Sequence, residues 1–190
     1  SCEGRIDQIE LGMLKDMKKA GCGQINFGVE SGSQKVLDYF NKKITTEQIR
    51  RTFSLMKQAG LRTRAYLIIG CKVEDESTLE ETRKLILSVP VNDIHISFFT
   101  PLPGSEAYKD IVGITRIEDF KKINQYLVSY VPFALSEQKL RDFMNSLYRE
   151  FYLHPKRLFS YFLMLFNLHK TMHLIRSMFG FVVLTFGHKK

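Results

Sequence analysis

Three apolar runs, each closing on a polar or glycine-bearing corner, constrain this chain more than any other feature. Gln24-Ile25-Asn26-Phe27-Gly28-Val29 ends in Glu30-Ser31-Gly32. Ala65-Tyr66-Leu67-Ile68-Ile69 ends in Gly70, with Glu74 just beyond. Ile94-His95-Ile96-Ser97-Phe98-Phe99 ends in Thr100-Pro101-Leu102-Pro103-Gly104. Near-continuous apolar runs of this length suit parallel strands covered on both faces. In a parallel α/β sheet or barrel all three corners fall at one carboxyl edge, where such folds build their sites. A carboxylate, a hydroxyl and bare glycine backbone at that edge point to a polar small-molecule ligand.

Helical stretches separate the runs. Asp7 and Glu10 have the form of an N-terminal box, and Ala20-Gly21 closes that helix. The chain before it is polar and is expected to lead directly into the helix. Ser33 starts a short helical turn through Val36, Leu37, Tyr39 and Phe40. Thr45-x-x-Gln48 predicts a capped helix with Ile49, Phe53 and Met56 inward and Gly60 as its stop. Ser77-x-x-Glu80 predicts a cap for a third helix, with Leu79, Ile86 and Val89 inward and Pro90 at its end. Asn26, His95 and Ser97 interrupt the apolar runs at alternating positions, as side chains facing a barrel lumen would.

From Tyr108 the alternation stops. Residues 115–131 read as helical, and Ser136 caps a helix carrying Leu140, Phe143, Met144, Leu147 and Phe151 on one face. His154-Pro155 ends it, and two more helical stretches are expected at 156–169 and 170–182. The expected fold is α/β, with residues 1–112 in a parallel barrel-like part and 113–190 in a mostly helical extension. At 190 residues the chain is short for a complete eightfold barrel, which takes about 250.

The net charge of +8 is unevenly placed. Every Asp and Glu lies at or before Glu150, so the chain from Phe151 onward is acid-free. Cys2, Cys22 and Cys71 are widely spaced, which argues against a disulfide framework and fits a reducing cytoplasm. No pair has the Cys-x-x-Cys spacing of a zinc or redox site, and no metal ligand set is expected. No signal peptide is seen, and no apolar run approaches the ~20 residues needed to span a bilayer.

Taken singly, each corner has a plain explanation. Gly28 and Gly32 would allow tight packing, Glu30 would be a solvated loop carboxylate, and Pro101 and Pro103 would be rigid spacers. Taken together and in order, they resemble the C-terminal half of a radical SAM protein, nearest to the branch that carries an upstream cobalamin-binding domain. The resemblance begins at Arg5-Ile6-Asp7 and continues through Met17-Lys18-Lys19-Ala20-Gly21-Cys22. It is strongest at Phe27-Gly28-Val29-Glu30-Ser31-Gly32-Ser33. It then passes Lys42-Lys43, Ala59-Gly60, Ile68-Ile69-Gly70 and Glu74-Asp75-Glu76-Ser77, and ends at Phe99 to Tyr108. Phe151 to Leu158 looks like the branch's helical extension.

The resemblance implies a partial (β/α)6 TIM-like barrel that binds S-adenosylmethionine at the carboxyl ends of its strands. It implies a [4Fe–4S] cluster that reduces this ligand to a 5′-deoxyadenosyl radical, and cobalamin bound through an upstream domain. Glu30 and Ser31 would contact the ribose or methionine portion, Gly70 would let backbone approach the adenine, and Thr100, Pro101 and Gly104 would close the adenine side. The residue chemistry agrees: a carboxylate accepts ribose hydroxyls or pairs with an ammonium, and glycine removes a blocking Cβ.

Two departures from the family's pattern bear on function. The three-cysteine motif that holds the cluster, Cys-x3-Cys-x2-Cys, is absent, and no residue is assigned a catalytic role. Gly70 and Glu74 enclose Cys71-Lys72-Val73 where the family usually has a Pro-Gly pair. The chain is therefore expected to be the C-terminal part of a radical SAM Fe–S oxidoreductase or transferase, inactive alone. Its expected partners are a small-molecule substrate and the cluster-binding half of the same protein. A half-barrel with an unpaired strand edge is also expected to self-associate.

The alternative is a non-catalytic (β/α) module whose basic, aromatic tail, from Phe151 on, binds a membrane surface or a protein partner. Packing of the tail on the barrel is the plainer reading, and nucleic acid is not an expected partner. His169 and His173 stand four apart on one face with no third ligand near.

Overall fold

The computed structural model describes residues 1–102, 104–109, 126–155 and 157–159. Four strands form one sheet in the order β1-β2-β3-β4: Cys2–Gly4, Gln24–Glu30, Arg62–Ile69 and Asp93–Phe98. Every neighbouring pair is parallel. The helices between them are α1 (Leu11–Lys19), α2 (Gln34–Tyr39), α3 (Thr46–Ala59) and α4 (Glu76–Ser88). The short α5 (Glu106–Lys109) and the long α6 (Glu137–Tyr152) follow. This is the α/β alternation expected from the sequence, with all strand corners at one edge.

Alternation along the strands separates two faces. Ile25, Phe27 and Val29 of β2, Ala65, Leu67 and Ile69 of β3, and Ile94, Ile96 and Phe98 of β4 are buried. They make one core with Leu14 of α1, Ile49, Phe53 and Met56 of α3, and Leu79, Leu85 and Ile86 of α4, all buried. Phe27 and Phe53 meet edge to face at 5.9 Å. Each such large apolar side chain contributes about 1.5–3 kcal/mol on burial. The opposite face carries Asn26, Arg64, Tyr66, His95 and Ser97, all half-buried. Asn26 stands beside Arg64, Tyr66 beside His95 and Ile68 beside Ser97. The three polar interruptions therefore share one open face, as their spacing suggested.

Three local expectations are corrected. Cys2–Gly4 is a strand paired to Ile25–Phe27, not a lead into a helix. The Asp7–Glu10 box does not form: Ile6–Gln8 is a 3-10 turn, Arg5 holds the Asp7 carboxylate at 2.9 Å, and α1 starts after Glu10 without a side-chain cap. The cap of α4 is Asp75 with Thr78, not Ser77 with Glu80. Asp75 Oδ1 accepts the Thr78 N–H at 2.9 Å, while the Asp75 N–H donates to Thr78 Oγ1 at 2.9 Å. The Thr45–Gln48 box forms as expected, and Gly60 closes α3 at φ 67°.

The chain divides into two compact units, Ser1–Arg141 and Asp142–Lys190. The sheet lies in the first. The boundary expected near residue 112 falls outside the described residues, as do nearly all of the basic tail and residues 115–125 of the helix predicted over 115–131; its described end, residues 126–131, is turn and irregular chain rather than helix. In the second unit Leu147 and Phe151 are buried, and the Arg157 guanidinium lies 3.7 Å from the centroid of the Phe151 ring. No helix among the described residues is long and apolar enough to cross a membrane.

Candidate functional site at the carboxyl edge of the sheet

The β2 corner is built around Glu30. The register between β2 and β3 slips between Gly28 and Glu30, a bulge that leaves Val29 unmatched. The Ser31 N–H donates to Val29 O at 2.8 Å, closing a three-residue turn with Glu30 at its centre. Glu30 has φ 64°, in the left-handed region that costs an L-residue roughly 1–2 kcal/mol. Strain of this kind persists where surrounding contacts impose it, and it collects at binding sites.

The imposing contact is Lys42. Its Nζ lies 2.8 Å from Glu30 Oε1, and the Glu30 side chain is 14% exposed. Lys42 is delivered by the end of α2. The Lys42 N–H donates to Leu37 O at 3.0 Å and the Asn41 N–H to Asp38 O at 2.9 Å. That is a Schellman ending, with Asn41 in the left-handed position at φ 50°. Lys43 also has φ 50°. Among the described residues, the three non-glycine residues with positive φ are therefore Glu30 and the two neighbours of Lys42. Gly28 completes the arrangement, since a Cβ there would lie 2.6 Å from Glu30 Oε1 and 3.1 Å from Lys42 Nζ. The glycine opens the space in which the ion pair sits.

Ser31 serves another purpose. It is fully buried, and its hydroxyl lies 2.9 Å from Thr82 Oγ1 of α4 and accepts the Ser33 N–H at 3.1 Å. The Gly32 N–H donates to Thr82 Oγ1 at 2.9 Å. A Cβ on Gly32 would lie 2.6 Å from Thr82 Cα and 2.8 Å from Glu81 O. The Ser31-Gly32-Ser33 run therefore locks the corner onto α4, while Glu30 remains its accessible polar group.

At the β3 corner Gly70 has φ 91°, and its N–H donates to the Glu74 carboxylate. Glu74 is 1% exposed, and its Oε1 has no hydrogen-bond partner. Burial pushes this carboxyl up to about 7, against the opposing pull of the Gly70 and Cys71 N–H groups. Burial, with the Glu74 carboxylate adding to it, pushes the Cys71 thiol up to about 12. The space left by the missing Gly70 Cβ is taken by Leu140, whose Cδ1 lies 3.1 Å from the position a Cβ would occupy. The close approach expected at Gly70 is thus made by a leucine of the same unit.

At the β4 corner Thr100 is half-buried and its Oγ1 donates to Phe98 O at 3.3 Å. The Ser129 hydroxyl lies 3.4 Å from Thr100 Oγ1. Pro101 is buried, Gly104 is exposed at φ 87° with open space at its Cβ position, and Pro103 lies outside the described residues.

The three corners are joined by rings that were not expected as a group. Phe99 lies 6.4 Å from Tyr39, 5.9 Å from Phe40 and 5.9 Å from Tyr130, between centroids. With Val36 and Cys71 they form one apolar cluster. It ties α2, the β3 corner and the β4 corner into one edge.

The cysteines do not make a cluster site. Cys71 is buried at the carboxyl edge, whereas Cys2 and Cys22 lie at the amino ends of β1 and β2. Among the described residues no group of three Cys, His, Asp or Glu side chains is placed to hold a metal ion.

Comparison with known proteins agrees with this architecture. Residues 1–86 match the family model described as the Radical SAM superfamily. The anaerobic magnesium-protoporphyrin IX monomethyl ester cyclase of Rubrivivax gelatinosus is 32% identical over 74% of this chain and 25% of its own length. The structure of coproporphyrinogen III oxidase from Escherichia coli, a radical SAM enzyme, aligns with TM-score 0.57 at 18% identity, covering 80% of this chain and 31% of that one. That of a radical S-adenosylmethionine methyltransferase from Kitasatospora setae, with cobalamin and a [4Fe–4S] cluster bound, aligns with TM-score 0.52 at 14% identity, covering 71% and 28%. The chain thus spans about a quarter of the curated relative it matches. The parallel strands and this family match identify residues 1–86 as part of a radical SAM superfamily domain.

Proposed function

We propose that this chain forms the carboxyl-side part of a radical SAM enzyme and supplies one wall of the S-adenosylmethionine site. The observation that carries the proposal is Glu30, a strained carboxylate at the sheet's carboxyl edge, held over Gly28 by Lys42. Its acceptor oxygens suit the ribose hydroxyls or the ammonium of the ligand. Gly104 stands at the same edge with open main chain, Thr100 stands there with its hydroxyl held by Phe98 O and Ser129, and Ser31, Gly70 and Pro101 contribute by packing and main chain. When bound with its cluster, the ligand supplies a 5′-deoxyadenosyl radical. The protein's part is to position the ligand and keep water from the reacting centre.

The cluster's thiolates belong to another segment of the longer protein, because Cys2 and Cys22 neighbour each other at the amino ends of the strands while Cys71 is buried at the carboxyl edge, so the three do not converge. The chain alone therefore neither assembles a [4Fe–4S] cluster nor turns over, and a cobalamin-binding domain elsewhere in that protein is part of the same reading. Anaerobic reconstitution of the longer protein with iron and sulfide tests it. A brown, cluster-bearing species that cleaves S-adenosylmethionine is expected, with no such species from residues 1–190 alone. An intact protein that takes up no cluster would sink the reading.

A further inference from the structure

The open face of the sheet holds a cation that the fold does not use. Arg64 lies on β3 between Asn26 of β2 and Asp93 of β4. Asp93 is already engaged, since Arg62 Nη2 donates to its Oδ2 at 3.0 Å. The Asn26 side-chain oxygen accepts from Gln24 at 2.8 Å. Among the described residues no carboxylate, hydroxyl or carbonyl pairs with the Arg64 guanidinium. It is half-buried, in a central strand flanked on both sides. A guanidinium in that position has five donors that, among the described residues, meet no protein acceptor and remain open to solvent or a ligand.

One step toward the carboxyl edge the same face turns aromatic. The Tyr66 and His95 rings meet edge to face at 5.7 Å, and the Tyr126 ring meets His95 edge to face at 6.0 Å. Gly28, the β2 neighbour of Tyr66, has no side chain, and the space at its Cβ position is taken by Glu30 Oε1 and Lys42 Nζ. Adjacent strands lie ~4.8 Å apart, so the Tyr66–His95 ledge is about one strand spacing wide and is bordered on the β2 side by the Glu30–Lys42 pair. From the amino side to the carboxyl side, the face therefore presents a cation, an aromatic ledge and the proposed cofactor carboxylate.

We propose that this open face recognises a flat ring compound bearing a carboxylate, with Arg64 taking the carboxylate and Tyr66 and His95 taking the ring. The proposal rests on the preceding reading only in treating this face as the substrate side; ring and charge recognition need no cluster. Arg64 suits the task because its planar fork matches a carboxylate's two oxygens. A ring on the Tyr66–His95 ledge lies between that anchor and Glu30, so the carboxylate sets which part of the substrate faces the cofactor edge.

Fluorescence anisotropy with 1-pyrenebutyrate and its neutral analogue 1-pyrenebutanol, added to the 190-residue chain, tests the assignment. The carboxylate should bind about tenfold more tightly than the alcohol, the scale of one charge-assisted pair. Arg64→Gln should abolish that preference, and Arg51→Gln, an exposed arginine on α3, should retain it. Circular dichroism identifies any variant that has lost its fold, and Arg64→Lys, which keeps the charge without the fork, should retain part of the preference. Equal binding of the two probes, no binding of either, or a preference that survives in Arg64→Gln would overturn the proposal. Cluster assembly in the longer protein is read separately: its failure removes the cofactor assignment and leaves the probe preference standing.

Discussion

Lys42 Nζ sits 2.8 Å from Glu30 Oε1, and a Cβ on Gly28 would intrude on both atoms. The pair joins a Schellman ending to a bulged strand end, and both are strained. It sets the direction of the Glu30 carboxylate at the sheet edge.

Charge and strain at Glu30 separate by substitution. Glu30→Gly removes the ion pair but also the left-handed penalty, so its stability should stay within about 1 kcal/mol of the parent. Glu30→Val should lose about 2 kcal/mol or more, because a β-branched residue is poorly accommodated at φ 64°. Urea unfolding followed by circular dichroism measures both. Equal losses would mean that the turn carries no strain.

The two glycines of the first corner should behave differently. Gly32→Ala drives a Cβ into the α4 backbone at Thr82 and Glu81, which cannot yield without moving the helix. Its cost should be about 3 kcal/mol. Gly28→Ala meets only the flexible ends of Glu30 and Lys42, so it should cost less than about 1.5 kcal/mol while displacing the carboxylate. A larger loss for Gly28→Ala than for Gly32→Ala would contradict the assignment of roles.

Such contrasts show what the sequence made legible. The apolar runs and the Thr45–Gln48 box were readable because each depends on residues within a few positions. β1 was not, because Cys2-Glu3-Gly4 has no apolar run and becomes a strand only by pairing with β2. Asp75 with Thr78 took the α4 cap, and Ser77, two residues on, lies inside the first turn; aspartate and serine cap about equally well, so the local sequence offered both starts. Glu30 could be picked out as a corner carboxylate, but Lys42 could not be given a role. Its reach depends on a helix ending that reverses the chain in three dimensions. Gly70 was read as a gap for a ligand, and only the fold shows Leu140 filling it.

Stability should depend on pH through Glu74. Its carboxyl stands at about 7 in the folded chain against an ordinary 4.5. Between those values the folded state holds a proton that the unfolded state releases, so stability falls as pH rises through the window. At ~1.4 kcal/mol per pH unit the fall approaches 3 kcal/mol in total. Urea midpoints at pH 5, 6, 7 and 8 should decline in the parent and flatten in Glu74→Gln. A parent profile that rises over this range would contradict the buried carboxyl.

The thiols should divide by burial. Cys2 and Cys22 are half-buried, while Cys71 is fully buried with its thiol held at about 12. Ellman's reagent at pH 8 should therefore titrate two thiols in the native chain and the third only in denaturant. Fast reaction of all three would show that the β3 corner opens.

The most direct test of the central claim is S-adenosylmethionine affinity in the longer, cluster-loaded protein with Glu30→Ala against the parent. Loss of one charge-assisted contact should weaken binding by about 10- to 100-fold with the cluster absorbance unchanged. Parent-like affinity in Glu30→Ala with an intact cluster would show that this edge does not hold the ligand.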